Sequence, residues 1–373
     1  MVTSVLARFY SLNKGFFTFN LKYLFYVGLW PQDELTDNQR LLYRAFEITV
    51  HVLSATFFFV TGIGLYKQKD DLILFLTNLD KCLVAYNFYL KTFFFLINRE
   101  KLRNLIEEIE TSGDTVTEER KELMAKATVI ITGVSCLVVS AFSGLAIFEG
   151  EMTVEAWMPF DPLESKMNLI TSAQILAIVF MPGMFRAFAM QGLVCSLIMY
   201  LCDQLIYLQD EIKGLKYTEV INTETRQAFK KAIEKHVRYS KTMEMIFKEY
   251  FLIQNMAITI ELCLNAIMVT VVSDITLLVT FLAYLGLALL NAYIYSYLGN
   301  ELIIQSQGVA MAGYESPWTS WPVDMQKDLL ILIRAAQRPL ALSAGGMVLL
   351  SIQTFSQVRL MTSLFNIDHS SIS

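Results

Sequence analysis

The chain has 373 residues, of which 54% are hydrophobic and 13% aromatic, and its mean hydropathy is +0.45. Ordinary soluble domains are about 45–50% apolar, so this composition excludes a typical soluble protein and indicates a protein that lies in a membrane. The formal net charge is −5, with 30 Lys and Arg against 35 Asp and Glu, and this balance does not indicate a nucleic-acid partner.

Long apolar runs predict an all-α membrane protein that forms a single domain with seven transmembrane helices, since about 20 such residues cross the hydrocarbon core of a bilayer. The fourth run exceeds the thickness of a bilayer, so its end is expected to project into the cytoplasm. The charged segment 203–249 has apolar residues at helical spacing, which predicts an amphipathic helix that runs into the fifth span. The predicted spans are approximately 45–66, 71–97, 127–148, 169–201, 250–272, 277–299 and 340–365.

Residues 311–339 are predicted to form a cytoplasmic loop and an anchor helix. The loop is expected to turn from Gly313 to Pro322, and Pro339 is expected to end the helix because it cannot continue one. This helix must bury its apolar face against its own chain or against a partner. The predicted anchor residues are Asp324, Leu329, Leu330, Leu332, Ile333 and Arg334.

The distribution of basic residues predicts the orientation in the membrane. Connections that contain Lys and Arg stay in the cytoplasm. The connections on one side carry only Lys67, Lys69 and Lys166. The sequence therefore predicts a cytoplasmic N-terminus and an extracellular C-terminus, opposite to a G-protein-coupled receptor. Most of the 30 Lys and Arg residues fall on the predicted cytoplasmic side, in residues 1–44, 98–126, 202–249 and 300–338.

The sequence has no HExxH, GxSxG, Walker A or GxGxxG pattern, and no pair of carboxylates lies within a predicted span. Its five cysteines form no CxxC spacing and its three histidines are scattered, so neither a disulfide framework nor a metal site is expected. We therefore predict that the protein is not an enzyme and carries no cofactor or metal.

Three polar residues share one face of the second predicted span: Asp80, Asn87 and Lys91. Buried charges in a membrane either pair with another helix or mark a transport pathway. We favour pairing or contact with water over a transport relay. The sequence also has no internal repeat, which weakens an inverted-repeat transporter.

The last predicted span is the least apolar of the seven. One polar face contains Gln353 and Gln357, and the other contains Ser356 and Arg359. Pore-lining helices have this pattern, and so do central helices of a bundle, so the pattern leaves both interpretations open.

The outer halves of spans two, three, four and six are predicted to hold a small, mostly apolar ligand. Aromatic and methionine side chains with an occasional hydroxyl suit such a ligand. Ordinary helix packing uses the same residue types, and by pattern alone packing is the better interpretation. The predicted ligand-binding residues are Leu72, Phe75, Leu76, Ser140, Ser143, Gly144, Ile147, Ile178, Met181, Phe281 and Tyr284.

An ordered set of short motifs resembles the insect odorant receptor family over nearly the full length. Within that family the short segment between spans four and five is similar to that of a ligand-tuning subunit rather than the shared co-receptor. Thr354-Phe355-Ser356-Gln357 differs from the ending that is usual in gustatory receptors. The motifs are Gly28-Leu29-Trp30-Pro31, His236-x-x-Tyr239-Ser240, Tyr250-Phe251-x-x-Gln254, Tyr297-Leu298-Gly299-Asn300-Glu301-Leu302, Ser316-Pro317-Trp318, Arg334-Ala335-Ala336-Gln337-Arg338-Pro339-Leu340, Ser351-Ile352-Gln353-Thr354-Phe355 and Leu364-Phe365.

The resemblance implies a ligand-gated, non-selective cation channel in the plasma membrane of a sensory neuron dendrite. It implies a heterotetramer with the odorant co-receptor, a small volatile ligand, and subunit contacts through the anchor helix. Asp368 falls where the co-receptor carries an aliphatic gate residue, so a carboxylate there could attract cations. By position relative to Phe355, the implied pore and gate residues are Gln357, Leu364, Asp368, Ser371 and Ile372.

Three other functions compete with this interpretation. A G-protein-coupled receptor requires the opposite orientation, and the sequence lacks its DRY and NPxxY motifs. A secondary transporter predicts substrate flux without conductance. A gustatory-type homomeric channel conducts without a co-receptor.

Overall fold

The computed structural model describes residues 16–357, apart from 33–34, 115, 153, 216–221, 272–274 and 347. Over these residues the chain is almost entirely helical. A 3₁₀ turn (Trp318–Ser320) precedes the last long helix, and two short strands, β1 (Ser343–Ala344) and β2 (Val348–Leu349), follow it. The helices are α1 (Thr18–Tyr26), α2 (Asp37–Lys67), α3 (Leu72–Thr111), α4 (Glu118–Glu149), α5 (Lys166–Gly214), α6 (Asn222–Val271), α7 (Ile275–Glu315) and α8 (Val323–Ala336).

Helix α5 is the centre of the bundle. It is 49 residues long and contacts α1, α2, α3, α4, α6 and α7. Nearly every residue from Gly183 to Cys202 is buried, as expected for a helix that is apolar on all sides. The helices α3 and α6, α6 and α7, and α7 and α8 also pack against each other in pairs. A movement of most helices therefore changes their contacts with α5.

Helices α2 to α7 contain the first six predicted spans. Four described segments have the length and composition to cross a membrane: Asp37–Lys67, Lys166–Gly214, Lys248–Met268 and Phe281–Glu315. Helices α3 and α4, with 40 and 32 residues, also exceed the required length. The all-α membrane fold is therefore confirmed, while the bilayer boundaries along each helix stay a prediction.

The first helix ends in a glycine motif. Gly28 has a φ of 75°, a left-handed conformation that glycine adopts without strain. The Gly28 amide donates to Phe25 O (3.0 Å) and the Leu29 amide to Leu24 O (2.9 Å), which is the Schellman arrangement of a helix C-terminus. Leu24 and Leu29 are both fully buried beside it.

A buried arginine holds this helix end against the bundle. The Arg186 guanidinium on α5 donates to Val27 O at 2.9 Å and to Gly28 O at 3.1 Å. Its Nη1 lies 3.2 Å from His51 Nδ1, and its Nη2 reaches Glu47 O at 3.5 Å. A cation at a helix C-terminus is favourable because the last carbonyls lack partners.

The predicted start of the last span is wrong. Residues 340–346 and 348–351 are not helical; β1 and β2 pair in antiparallel register there, and the helical run begins at 352. The physical reason is the pair Gly345 and Gly346, with φ of 62° and 78°, since consecutive glycines with positive φ reverse the chain between strands. The rest of the predicted span, 358–365, lies outside the described residues.

The predicted turn from Gly313 to Pro322 begins too early, because α7 continues to Glu315. A Cβ atom at Gly313 would lie 3.0 Å from Ile333 and 3.2 Å from Leu329. The glycine therefore allows α8 to pack closely on α7 and does not end the helix. The turn occupies residues 316–322 and contains Pro317 and Pro322.

Candidate ligand-binding region and anchor region

The outer halves of α2, α3 and α5 enclose a small apolar cluster, here called the outer cluster. Tyr89 and Phe180 pack against it and are only partly buried. The rest of the buried core lies mainly toward the predicted cytoplasmic side, where α1, α8 and the β-hairpin add to it. The buried members of the outer cluster are Phe57, Ala85, Met152, Ala156, Met158, Leu169, Leu176 and Val179.

The connection between α4 and α5 closes over the outer cluster. Asn78 on α3 donates from Nδ2 to Glu155 O and accepts at Oδ1 from the Glu155 amide, both at 3.0 Å. The Trp157 amide donates to Val60 O on α2 at 2.9 Å. Burial raises the pKa of the Glu155 carboxyl, and the nearby Lys81 opposes this rise. The connection thus forms a fixed outer cover between α2 and α3.

We expect Gly64→Ala to disturb this cover. A Cβ atom at Gly64 would lie 2.2 Å from Glu155 O, a backbone atom that cannot move alone. The alanine should lower the thermal midpoint of the purified protein by several degrees, because overpacking costs about 1–3 kcal/mol. Gly62→Ala is the matched control, since nothing lies within 4 Å of its Cβ position. Equal midpoints for the two variants would contradict the described contact.

Buried hydroxyls lie close to the outer cluster. The Ser54 and Tyr89 hydroxyls interact with each other, and the Ser172 hydroxyl is buried without a hydrogen-bond partner among the described residues. Gly183 makes room for the Tyr89 ring, since a Cβ atom there would lie 3.2 Å from Tyr89 Cε1. A few polar groups in an apolar enclosure are what a binding site for a small ligand requires. Sequence reasoning missed these residues because isolated hydroxyls in an apolar helix have no periodic signal.

The predicted ligand-binding residues have different environments. Phe281 is fully buried. Leu72 and Ile178 are 68% and 62% exposed, so they face away from the packed interior of this chain. The side chains of Ser143 and Tyr284 lie outside the described residues. Of the others, Phe75, Leu76, Ile147 and Met181 are partly buried, and Ser140 and Gly144 are exposed.

One described cavity is too small for an odorant. It has a volume of about 30 Å³ and lies between α3, α5 and α6, beside Phe94, Asn98 and Tyr250. That volume accommodates about one water molecule. A volatile ligand must therefore bind outside this cavity. That the predicted ligand-binding residues form one pocket stays a prediction.

The anchor helix α8 has two apolar faces. Leu329 and Leu332 are buried against α7, and Ile333 packs partly against the same core. Leu330 and its neighbour Ile331 are each 66% exposed. The helix therefore buries only one of its apolar faces within the chain.

Charged and aromatic contacts fix the start of the anchor helix. Asp324 pairs with Arg226 at the start of α6, while Arg334 is exposed. The Trp321 ring is buried and meets the Phe229 ring edge to face, with centroids 5.6 Å apart. The amphipathic start of α6 is thus joined to the anchor helix.

The β-hairpin sets the starting position of the last helical run. The Gly345 amide donates to Lys248 O on α6 at 3.2 Å, and the Leu340 amide donates to Ser306 Oγ on α7 at 2.9 Å. A Cβ atom at Gly299 would lie 2.3 Å from Leu350 O, so the α7 backbone closely approaches the hairpin. The hairpin is thereby held between α6 and α7.

The predicted pore residues are mostly not described. Gln357 is exposed at the end of the helical run 352–357. Leu364, Asp368, Ser371 and Ile372 lie outside the part of the chain that the structure describes, so their role in a gate stays a prediction.

Known proteins are similar to this chain in sequence. The family profile described as 7tm Odorant receptor matches residues 71–362. Odorant receptor 13a of Drosophila melanogaster is 22% identical in an alignment that covers 89% of this chain and 89% of that protein. Odorant receptor 30a of the same species is 38% identical over 85 residues, which cover 23% of this chain and 22% of that protein.

The fold is similar to a solved structure. The insect olfactory receptor OR5 from Machilis hrabei matches with a TM-score of 0.74 at 17% identity, covering 95% of this chain and 97% of that chain. The structure of the same receptor in complex with eugenol matches with a TM-score of 0.74 at 18% identity. The similarity at this level of identity concerns the fold.

Proposed function

Because this chain belongs to the insect odorant receptor family, we propose that it is the odorant-binding subunit of a ligand-gated, non-selective cation channel. It assembles with the shared odorant co-receptor as a heterotetramer in the plasma membrane of a sensory neuron. The observation that carries this proposal is the family match, which extends from the start of α3 through the anchor helix into the last span. Receptors and ion channels of this family are not enzymes.

Ligand binding is assigned to the outer half of the bundle. An odorant enters among spans two, three, four and six and contacts Phe281, Tyr284 and a hydroxyl such as Ser140 or Ser143. It binds the open arrangement more tightly than the closed one, since only a difference in affinity shifts the equilibrium. The helices α6 and α7 pass the displacement to the β-hairpin, which carries the start of the pore helix.

Whole-cell current under an odorant panel tests the proposal. The chain is expressed alone and then with a co-receptor, and surface expression is confirmed in both cases. We expect odorant-evoked cation current only in the pair. Current from the chain alone would place it in the homomeric, gustatory-like class, and silence in both would contradict a channel function.

Tyr284→Ala is expected to weaken the response to an agonist. Loss of an aromatic wall should raise the half-maximal concentration roughly tenfold, equivalent to about 1.4 kcal/mol. Leu290→Ala on the same helix is the control, because Leu290 is 50% exposed and lies farther from the outer end. Unchanged potency in Tyr284→Ala at normal surface expression would show that the pocket is placed wrongly.

Leu330→Glu is expected to prevent assembly without unfolding the chain. Leu330 is largely exposed in this chain, so the substitution leaves the α7–α8 core intact, whereas an unpaired charge in a subunit interface costs several kcal/mol. Co-purification with the co-receptor should fall at least tenfold. Asp328→Lys, at an exposed position about 160° around the same helix from Leu330, is the control. Normal co-purification of Leu330→Glu would exclude this face as a contact.

A further inference from the structure

Two polar stripes face each other across the contact between α3 and α6, here called the polar seam. Each stripe has residues at positions i, i+7 and i+11, so each follows one face of its helix. Asn265 Nδ2 donates to Asp80 Oδ1 at 2.9 Å and fixes the antiparallel register at the outer end. The same register brings Lys91 opposite Gln254 at the inner end. The residues of the polar seam are Asp80, Asn87 and Lys91 on α3 and Gln254, Glu261 and Asn265 on α6.

Four of the six seam residues are buried, while Asn87 and Glu261 are partly exposed. Asp80, Lys91, Gln254 and Asn265 are 2%, 3%, 2% and 0% exposed. Glu261 lies between them and interacts with both Asp80 and Lys91. The Lys91 ammonium also lies 5.7 Å from the centroid of the Tyr250 ring. Charged groups at such depth are costly unless other polar atoms solvate them.

Several polar atoms of the seam have no protein partner. Asn87 Oδ1, Asn265 Oδ1 and both polar atoms of Gln254 are buried without a hydrogen bond to any described residue. Because both atoms of the Gln254 amide lack a partner, turning the amide over satisfies neither of them. The set contains donors and acceptors, spread over about 16 Å of helix length at 1.5 Å per residue.

We propose that the polar seam binds a file of ordered water molecules between α3 and α6. Water donates and accepts hydrogen bonds, so it satisfies Asn87, Gln254 and Asn265 together, and it solvates Asp80, Glu261 and Lys91. A cation at this place would satisfy the acceptor atoms but not the Gln254 amino group. The seam is thus a hydrated contact between two spans.

The direct test is a cryo-electron microscopy map of the full-length protein in its channel at a resolution that reveals ordered water. We expect density within about 2.7–3.2 Å of Asn87 Oδ1, Asn265 Oδ1 and the Gln254 amide. A seam without density, with these amides turned toward protein partners, overturns the proposal. A single strong peak coordinated by Asp80 and Asn265 that depends on sodium overturns it in favour of a cation site.

Gln254→Met provides a second measurement, since methionine keeps the length of the side chain and removes its polar atoms. If water satisfies the amide, the substitution removes hydrogen bonds, and the thermal midpoint in detergent falls by roughly 2 °C or more. If the amide is dry and unsatisfied, its removal leaves the midpoint unchanged or raises it, and the proposal fails. Gln174→Met, at an exposed position of α5, is the control for the general effect of the exchange.

Discussion

Arg186→Met is expected to reduce the surface expression of the protein strongly. The methionine leaves the carbonyl groups of Val27 and Gly28 without their donor at the C-terminus of α1, where the first contact is partly buried and the second is buried. Each buried acceptor without a partner costs about 1–3 kcal/mol. Burying a guanidinium in a membrane costs about 2.5–3.5 kcal/mol on insertion scales. The substitution removes the guanidinium and so recovers part of this cost. This gain is smaller than the cost of the two lost acceptor contacts and of the lost contacts to His51 and Glu47. We therefore expect the free energy of unfolding to fall by about 2–3 kcal/mol.

The measurement is surface labelling together with the thermal midpoint of the purified protein. Lys126→Met is the matched control, because the Lys126 ammonium pairs with Glu122 on an exposed helix face, where such pairs contribute about 0–1 kcal/mol. Arg186→Lys should give an intermediate result, since an ammonium cannot donate to so many groups in the guanidinium geometry. Normal expression of Arg186→Met would show that α1 is held by its apolar contacts alone.

Gly299→Ala is expected to reduce the odorant-evoked current per surface receptor more than tenfold. The new Cβ atom would lie 2.3 Å from Leu350 O and 3.1 Å from Leu350 Cβ, so either α7 or the hairpin must shift. Because the helical run of the last span begins two residues after Leu350, such a shift changes the position from which the pore helix starts. The cost of overpacking, about 1–3 kcal/mol, is comparable to the free-energy difference between closed and open states of a switch.

Gly286→Ala on the same helix is the control, since nothing lies within 4 Å of its Cβ position. Current is normalised to surface protein so that a folding defect is separated from a gating defect. If Gly299→Ala conducts like the unmodified chain, the hairpin does not determine the position of the pore helix, and the proposed route from ligand to gate is wrong.

The long helices could be predicted from the sequence because each apolar run is continuous over about 20 residues or more. The β-hairpin could not be predicted from alternation, since each strand has only two residues. Its available signal was the pair Gly345-Gly346. Gly313 was misassigned for a related reason: a glycine supports either a turn or a close approach of two helices, and only the position of α8 decides between them.

The candidate site was less predictable than the fold. Arg186 is visible in the sequence as a charge in an apolar run, but its acceptors Val27 and Gly28 are 159 and 158 residues away. For Asp80 the sequence left pairing with another helix and contact with water both open, and its partner Asn265 is 185 residues away. Residues such as Ser54 and Tyr89 become candidates only when helix packing places them beside the outer cluster.

The central claim is that one chain binds an odorant in the outer half of its bundle and shares a pore with a co-receptor. The most direct measurement is a cryo-electron microscopy structure of the heteromeric channel with and without an agonist identified by its current. We predict agonist density between α3, α4, α5 and α7 of this chain, next to Phe281. We also predict a wider pore at the last helices. Agonist density only in the co-receptor, or an unchanged pore at saturating agonist, would contradict the account.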